Sequence, residues 1–328
     1  MKIGSLYGAL FAVLLLLSVW HLTTGTIPLD WSLLFYNDGN EATLQQIVFH
    51  EIRLPRTLLA ASVGAVLGIS GAAMQGLLRN PLAEPGLLGV SSAAALGAVL
   101  SIYYGGTLSH PLVFLSTAII GAASAVLLMQ VLAGRDASTS TVILAGVAVG
   151  AVASSGIALA LNFAPNPYAT AEIVYWLLGS FANRTMDEWW LAMPCMLVGS
   201  VLLWSRAPFL RALTLGERTA QSLGFAIGHE RLLMVLAIAI SVGAAVAVSG
   251  AIGFIGLLVP HLMRPLVAHD PGRLLPVSAL TGAALMVAID IAVQVLAPGR
   301  ELKLGVLTAL LGAPFFFYLV IRERRALW

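Results

Sequence analysis

The chain alternates between long apolar stretches and short polar segments. A helix needs about 20 mainly apolar residues to cross the hydrocarbon core of a bilayer. Ten stretches approach that length, near 4–24, 57–78, 86–105, 111–133, 140–163, 186–206, 230–250, 253–267, 274–297 and 304–321. The eighth is short and contains Pro260, so we expect it to enter the bilayer only partly or to break. The pattern predicts an all-α polytopic membrane protein with about ten transmembrane helices.

Composition and the placement of charge agree with this prediction. Of 328 residues, 59% are hydrophobic and only 10% are charged, against roughly 25% charged in a soluble domain. With ten spans and a cytoplasmic N-terminus, twelve of the 17 basic residues face the cytoplasm. The other five are Arg53, Arg56, Arg184, Arg300 and Lys303. The positive-inside rule therefore predicts an even number of spans with both termini in the cytoplasm. We expect the protein in the bacterial inner (plasma) membrane.

Two parts of the chain repeat each other. SVGAVLGISGA at 62–72 matches SVGAAVAVSGA at 241–251 at seven of eleven positions, and LLGVS at 87–91 is echoed by LLPVS at 274–278. Many transporters build a pathway from such internal repeats. We predict a single permease domain over 1–328, with five-helix halves at about 1–165 and 186–328.

Glycines spaced three or four residues apart recur within the apolar stretches. Such spacing puts them on one helix face, where a neighbouring backbone can approach closely. The predicted packing sets are Gly64 with Gly68, Gly146 with Gly150, and Gly250 with Gly253 and Gly256.

The motifs of common catalytic sites are absent from the sequence. The two lysines, Lys2 and Lys303, follow no phosphate-binding glycine loop. There is no HExxH, no GxSxG and no Cys and His cluster with metal spacing. We therefore expect no catalytic, cofactor or metal site in this chain, and transport energy must come from an ion gradient or from another protein.

Asp290, within VAIDIAV, is the clear acid inside a predicted span. Ionisable groups at such depth are costly and often functional. One hypothesis is a proton-coupled secondary transporter that uses Asp290. Another is that Asp290 is a structural partner of an arginine or of a helix N-terminus. A third possibility is a scaffold or export component that has no pathway of its own.

One polar stretch, FLRALTLGERTAQSLG at 209–224, interrupts the apolar chain. Apolar and polar positions alternate over about 211–229, and Gly216, Gly224 and Gly228 punctuate the segment. This is typical of short amphipathic helices outside the bilayer with an apolar edge open to a partner. Helices that lie on a membrane tend to carry more lysine and bulky aromatic residues. A protein partner is therefore the favoured interpretation.

Several long motifs resemble one family of transport proteins. LTLGERTAQSLG at 213–224, the segment RLPRTLLAASVGAVLGISGAAMQGLLRNPLAEPGLLGVSS at 53–92, VSGAIGFIGLLVPHLMRPL at 248–266 and GVLTALLGAPFFFYLV at 305–320 occur in the family's order. They are similar to permease subunits of the binding-protein-dependent importers for iron siderophores, heme and vitamin B12. The resemblance runs from about residue 50 to the C-terminus.

The resemblance implies a homodimer with a central translocation path in the lipid bilayer. Two copies of a separate ATPase, which holds ATP and Mg, would bind on the cytoplasmic side, and a periplasmic substrate-binding protein would dock outside. It implies no nucleic acid partner. The cargo would be a large metal chelate, namely an iron siderophore, heme or cobalamin, and the sequence does not choose among them.

The resemblance also implies roles for particular residues. Coupling to the ATPase would involve Leu215, Gly216, Glu217, Ala220, Leu223 and Gly224. The cytoplasmic gate would include Asn80, Leu82, Ser140 and Thr141, and the binding protein would dock on Arg53, Arg56 and Arg300. This chain departs from the family at Gln294, where an arginine often follows the acid, and at Lys303, where proline is common. The first departure puts an ion pair of Asp290 in doubt.

Overall fold

The structure is a computed structural model, and it describes residues 3–25, 27–28, 40–103, 111–134, 139–297 and 302–326. Its described elements are helical. The helices are α1 (Ile3–Thr23), α2 (Asn40–Ile47), α3 (Leu54–Leu77), α4 (Val90–Tyr103), α5 (Pro111–Ala133), α6 (Thr139–Asn162), α7 (Pro167–Leu177), α8 (Met186–Ser205), α9 (Ala207–Thr214), α10 (Glu217–Ser222), α11 (Ile227–Ser249), α12 (Ile255–Met263), α13 (Pro271–Leu296) and α14 (Leu304–Ala326). A π-helical turn (Val48–Arg53) and 3-10 turns (Pro85–Leu88 and Arg264–Val267) precede α3, α4 and α13.

Every predicted apolar stretch contains a helix in this structure. Among the described residues, seven helices are long and apolar enough to cross a membrane, and three shorter apolar helices lie at Val90–Tyr103, Ile255–Val267 and Leu304–Phe317. The all-α polytopic architecture is therefore confirmed. The count of ten spans and the two five-helix halves stay predictions.

The centre of the bundle is built on close contact between α3 and α13. A Cβ added to Gly64 would collide with the backbone oxygen of Gly282, and one added to Gly68 with that of Ser278. Only glycine allows the two backbones to approach this closely. Gly146 and Gly150 pack against Gly89, where an added Cβ would lie 2.6 Å from Gly150 N and 3.0 Å from Gly146 O. The predicted role of these glycines in helix packing is confirmed.

The prediction for Gly250, Gly253 and Gly256 is wrong, because they do not share a helix face. α11 ends at Ser249 and α12 begins at Ile255. Gly250 has φ 74° and Phe254 has φ 69°, and left-handed residues interrupt a right-handed helix. Gly256 still packs tightly, because a Cβ on Gly71 would collide with its backbone oxygen.

α1 lies at the periphery of the bundle. Leu6 and His21 are its buried residues, whereas six of its large apolar side chains are exposed, namely Phe11, Val13, Leu15, Leu16, Val19 and Trp20. An exposed apolar helix surface is expected where lipid surrounds the protein. His21 is therefore the deep polar contact between α1 and the rest of the chain.

Candidate functional site

The predicted coupling segment forms the two short helices α9 and α10. Gly216 joins them with φ 104°, and Gly224 follows α10 with φ 93°. L side chains rarely adopt these backbone angles, so glycine is the suitable residue at both turns. Leu215 and Leu223 are 66% and 61% exposed, whereas Ala220 is fully buried. We call the surface formed by α9, α10 and these turns the docking face.

Glu217, the first residue of α10, is held from two directions. Its Oε1 accepts a hydrogen bond from Arg79 Nη2 at 3.5 Å and another from Arg231 Nη2 at 3.3 Å. Arg231 belongs to the start of α11, and Arg79 directly follows the end of α3. The predicted coupling residue thus connects three parts of the chain.

A second ion pair fixes α9 to α13. Arg211 donates from Nε to Asp270 Oδ1 at 2.8 Å and from Nη2 to Oδ2 at 3.1 Å. Asp270 also caps α13 by accepting from the backbone N–H groups of Gly272 and Arg273. Burial raises the pKa of Asp270, but these hydrogen bonds and the charge of Arg211 outweigh burial and hold the pKa below its ordinary value.

The predicted gate residues lie in two segments. Asn80 and Leu82 form a turn after α3, in which Asn80 Oδ1 accepts from the Leu82 backbone N–H at 2.9 Å. Ser140 and Thr141 are exposed in the first turn of α6. The chain that follows Leu82 reaches α6 at Gly89, where an added Cβ would lie 2.6 Å from Gly150 N. The two segments therefore belong to adjoining elements.

The two predicted docking arginines that the structure describes, Arg53 and Arg56, have partners inside the protein. Arg53 is 5% exposed and donates to the backbone oxygens of Leu22, at 2.7 Å, and of Ile27. Arg56 donates from Nε to Asp290 Oδ2 at 2.6 Å and from Nη2 to Oδ1 at 3.0 Å. Arg300 lies outside the described residues. Both described arginines thus have structural partners, and their docking role stays a prediction.

His21 completes the cluster around Asp290. Its Nε2 lies 2.6 Å from Asp290 Oδ2, and its Nδ1 lies 2.6 Å from Thr57 Oγ1. An ionised carboxylate only accepts hydrogen bonds, so Nε2 carries a hydrogen. Gln294 Nε2 donates to Asp290 Oδ2 at 3.2 Å. The prediction that Asp290 is a structural partner of an arginine is confirmed. The glutamine at position 294 was expected to put an ion pair of Asp290 in doubt, and this expectation is wrong because Arg56 of α3 provides the arginine.

His21 is not among the site residues predicted from the sequence. Its signal was a lone imidazole in the last turn of an otherwise apolar helix, where a polar group needs a partner inside the protein. Among the described residues there is no group of three or more His, Cys, Asp or Glu that could hold a metal ion.

The described helices are those of a polytopic membrane protein. The chain belongs to the FecCD transport family, whose family model matches residues 10–322. The resemblance found in the sequence motifs is therefore confirmed.

Individual relatives agree with the family. The chain is 38% identical over 285 residues to the vitamin B12 import system permease protein BtuC of Vibrio cholerae, covering 86% of this chain and 85% of the relative. It is 39% identical over 293 residues to the uncharacterized ABC transporter permease protein YvrB of Bacillus subtilis, covering 88% and 82%. A solved structure presented as an inward-facing conformation of a metal-chelate type ABC transporter matches with TM-score 0.87 and 32% identity, covering 97% of this chain and 99% of the other.

Proposed function

We propose that this chain is the permease subunit of an ATP-binding-cassette importer that moves a large metal chelate into the cytoplasm. The observation that carries the proposal is the docking face. This chain, a member of the FecCD family, presents two exposed leucines, Leu215 and Leu223, at the ends of short helices that ion pairs join to the bundle. An apolar edge of this kind suits insertion into a groove on a partner protein.

The proposed complex is a homodimer with two ATPase subunits and a periplasmic substrate-binding protein. ATP and Mg would be bound by the ATPase, since this sequence contains no phosphate-binding loop. The docking face would be cytoplasmic and both termini would lie on that side, as the distribution of basic residues predicts. The path would run between the two subunits.

Within this complex, the docking face would couple ATP hydrolysis to movement. Asn80, Leu82, Ser140 and Thr141 would form the cytoplasmic gate. Arg53, Arg56 and Arg300 would receive the binding protein on the outer side. To receive the binding protein, Arg53 and Arg56 would have to share or leave their internal partners. A change at Arg300 therefore tests docking more directly.

The proton-coupled carrier is without support. Asp290 is fully buried and is engaged by His21, Arg56 and Gln294. The match to the FecCD transport family, with ABC transporter permeases among the relatives, favours an ATPase partner over a proton gradient.

Vitamin B12 is the first cargo to test, because relatives at 38% to 40% identity carry that name. Ferric siderophores and heme are the other members of the cargo class. Competition among labelled cobalamin, a ferric hydroxamate and heme for uptake by the assembled importer separates them.

The decisive experiment reconstitutes the permease with its ATPase and binding protein in liposomes. ATP-dependent uptake is expected in the complex, and no uptake is expected from the permease alone under a pH gradient. Glu217→Leu should leave the dimer folded, because Glu217 lies at an exposed turn, yet should sharply reduce uptake per folded complex. Gly216→Leu should also leave the dimer folded and reduce uptake, with a loss of stability of about 1 kcal/mol because a side chain at φ 104° is strained. Gly8→Leu is a control outside this face, since Gly8 is exposed and a Cβ added there meets nothing within 4 Å. Uptake that survives both docking-face changes would contradict the coupling assignment.

A further inference from the structure

The docking face touches the end of α3 at two separate points. Leu210 of α9 packs against Gly76, where an added Cβ would lie 3.2 Å from Leu210 Cδ2. Glu217 of α10 accepts a hydrogen bond from Arg79, three residues further along. One contact is apolar and the other is ionic, and both reach the same turn.

The apolar contact is well suited to carry displacement. Leu210 is fully buried. Protein interiors are packed as densely as organic crystals and compress little, so a shift of α9 must move the end of α3 or open a void. A glycine at position 76 lets the leucine approach the helix backbone itself.

The ionic contact ends at the residue beside the predicted gate. Arg79 has φ 48°, which a non-glycine residue rarely adopts. The turn is closed by hydrogen bonds from Arg79 N to Gly76 O and from Asn80 N to Gln75 O. Because these hydrogen bonds hold the turn, a displacement of the Arg79 side chain would also move the backbone that continues into Asn80 and Leu82.

We infer that the turn at 76–80 carries movement of the docked ATPase to the cytoplasmic gate, with Arg79 and Leu210 as its positioning residues. This inference rests on the proposed function and adds the route between its two sites. The route requires neither residue to touch the cargo or the nucleotide. Each acts by fixing where the gate segment lies relative to α9 and α10.

The chain provides a matched comparison on the same face. The pair of Arg273 and Asp270 is an exposed ion pair like that of Arg79 and Glu217, with 50% and 45% of the respective arginine side chains exposed. It joins the first turn of α13 to its own cap and does not reach the gate segment. Arg273→Gln therefore removes an equivalent charge without touching the inferred route.

The experiment follows the gate directly in the complex of permease and ATPase in nanodiscs. Leu82→Cys in a Cys195→Ala background gives a single reactive thiol in the described gate, and its rate of maleimide labelling is measured with and without ATP. In this parent protein, ATP should change the labelling rate. ATPase binding is measured on the same samples.

Arg79→Gln should reduce the ATP-induced change in labelling by about 2- to 5-fold, the range expected for an exposed ion pair. ATPase affinity should stay within about 2-fold of the parent, because Arg79 is not on the exposed edge of the docking face. Arg79→Lys should restore most of the response, since it keeps the charge. Arg273→Gln should leave the response at the parent level.

Leu210→Ala should weaken the response as well, and its combination with Arg79→Gln should be non-additive, because both contacts act on one turn. If Leu210→Ala does not fold, the Arg79 variants still decide the matter. A full ATP response in Arg79→Gln with ATPase bound would overturn the inference and leave the proposed function standing. Absence of ATPase binding in the parent would instead overturn the proposed function.

Discussion

Arg56 on α3 and Asp290 on α13 form a two-point ion pair, with Nε to Oδ2 at 2.6 Å and Nη2 to Oδ1 at 3.0 Å. The planar guanidinium matches the carboxylate at both oxygens, which a lysine cannot do. His21 adds α1 to the same carboxylate. A single acid in α13 therefore joins three helices at the end of the bundle opposite the docking face.

Asp290→Asn should lower thermal stability strongly. The change leaves Arg56 without its carboxylate in a largely buried site, and breaking a buried pair costs about 3 kcal/mol or more. The thermal midpoint of the purified permease should fall well below that of Asp270→Asn, whose partners are more exposed. ATP-driven uptake per folded complex should stay near normal. Loss of uptake without loss of stability would point to a direct role in transport.

Gly68→Ala should destabilise the bundle by about 3 kcal/mol, since the new methyl group meets a backbone oxygen that cannot turn away. The control is Gly8→Ala, also within a helix but with no atom within 4 Å of the added Cβ. That change should be neutral or slightly stabilising, because alanine favours the helix. Equal midpoints for the two variants would contradict the close packing of α3 on α13.

Arg53→Lys should lower stability by about 1 to 2 kcal/mol, because one ammonium group replaces a fork that reaches the oxygens of both Leu22 and Ile27. Affinity for the binding protein, compared at equal folded fraction, separates an anchoring role from docking. Unchanged affinity together with lower stability would assign Arg53 to anchoring.

Arg300→Glu should weaken docking of the binding protein at low salt if the outer arginines receive acidic groups.

The pH dependence of stability should reflect Asp270. Its pKa is lower in the folded protein than the value of about 3.9 in an unfolded chain, so the ionised form stabilises the fold above that pH. This contribution is lost as the pH falls through the folded pKa. The difference in thermal midpoint between the parent and Asp270→Asn should therefore be constant from about pH 7 to about pH 5 and should shrink below about pH 4. A difference that already shrinks between pH 7 and pH 5 would contradict the lowered pKa.

The sequence predicted the helical architecture because apolar stretches near 20 residues long have one stable conformation in a bilayer. It predicted the transport class because the motifs at 53–92, 213–224 and 248–266 are long and ordered. It also predicted the use of Gly64 and Gly68 in packing, since residues four apart share a helix face. These properties depend on local spacing, which the sequence contains directly.

The tertiary structure decided which distant residues meet. His21, Arg56 and Asp290 lie on three different helices. His21 is 269 positions from Asp290 in the sequence, and Arg56 is 234 positions from it. No rule based on local sequence spacing predicts these contacts. Local spacing also led to the wrong prediction that Gly250 and Gly253 share a helix face. Phe254, whose backbone is in the left-handed region, lies between α11 and α12. The contacts of Gly76 with Leu210 and of Arg79 with Glu217 likewise depend on how α9 and α10 fold back against α3. Side-chain partners of this kind are fixed by packing in three dimensions, where the cost of an unpaired buried charge selects a partner from any part of the chain.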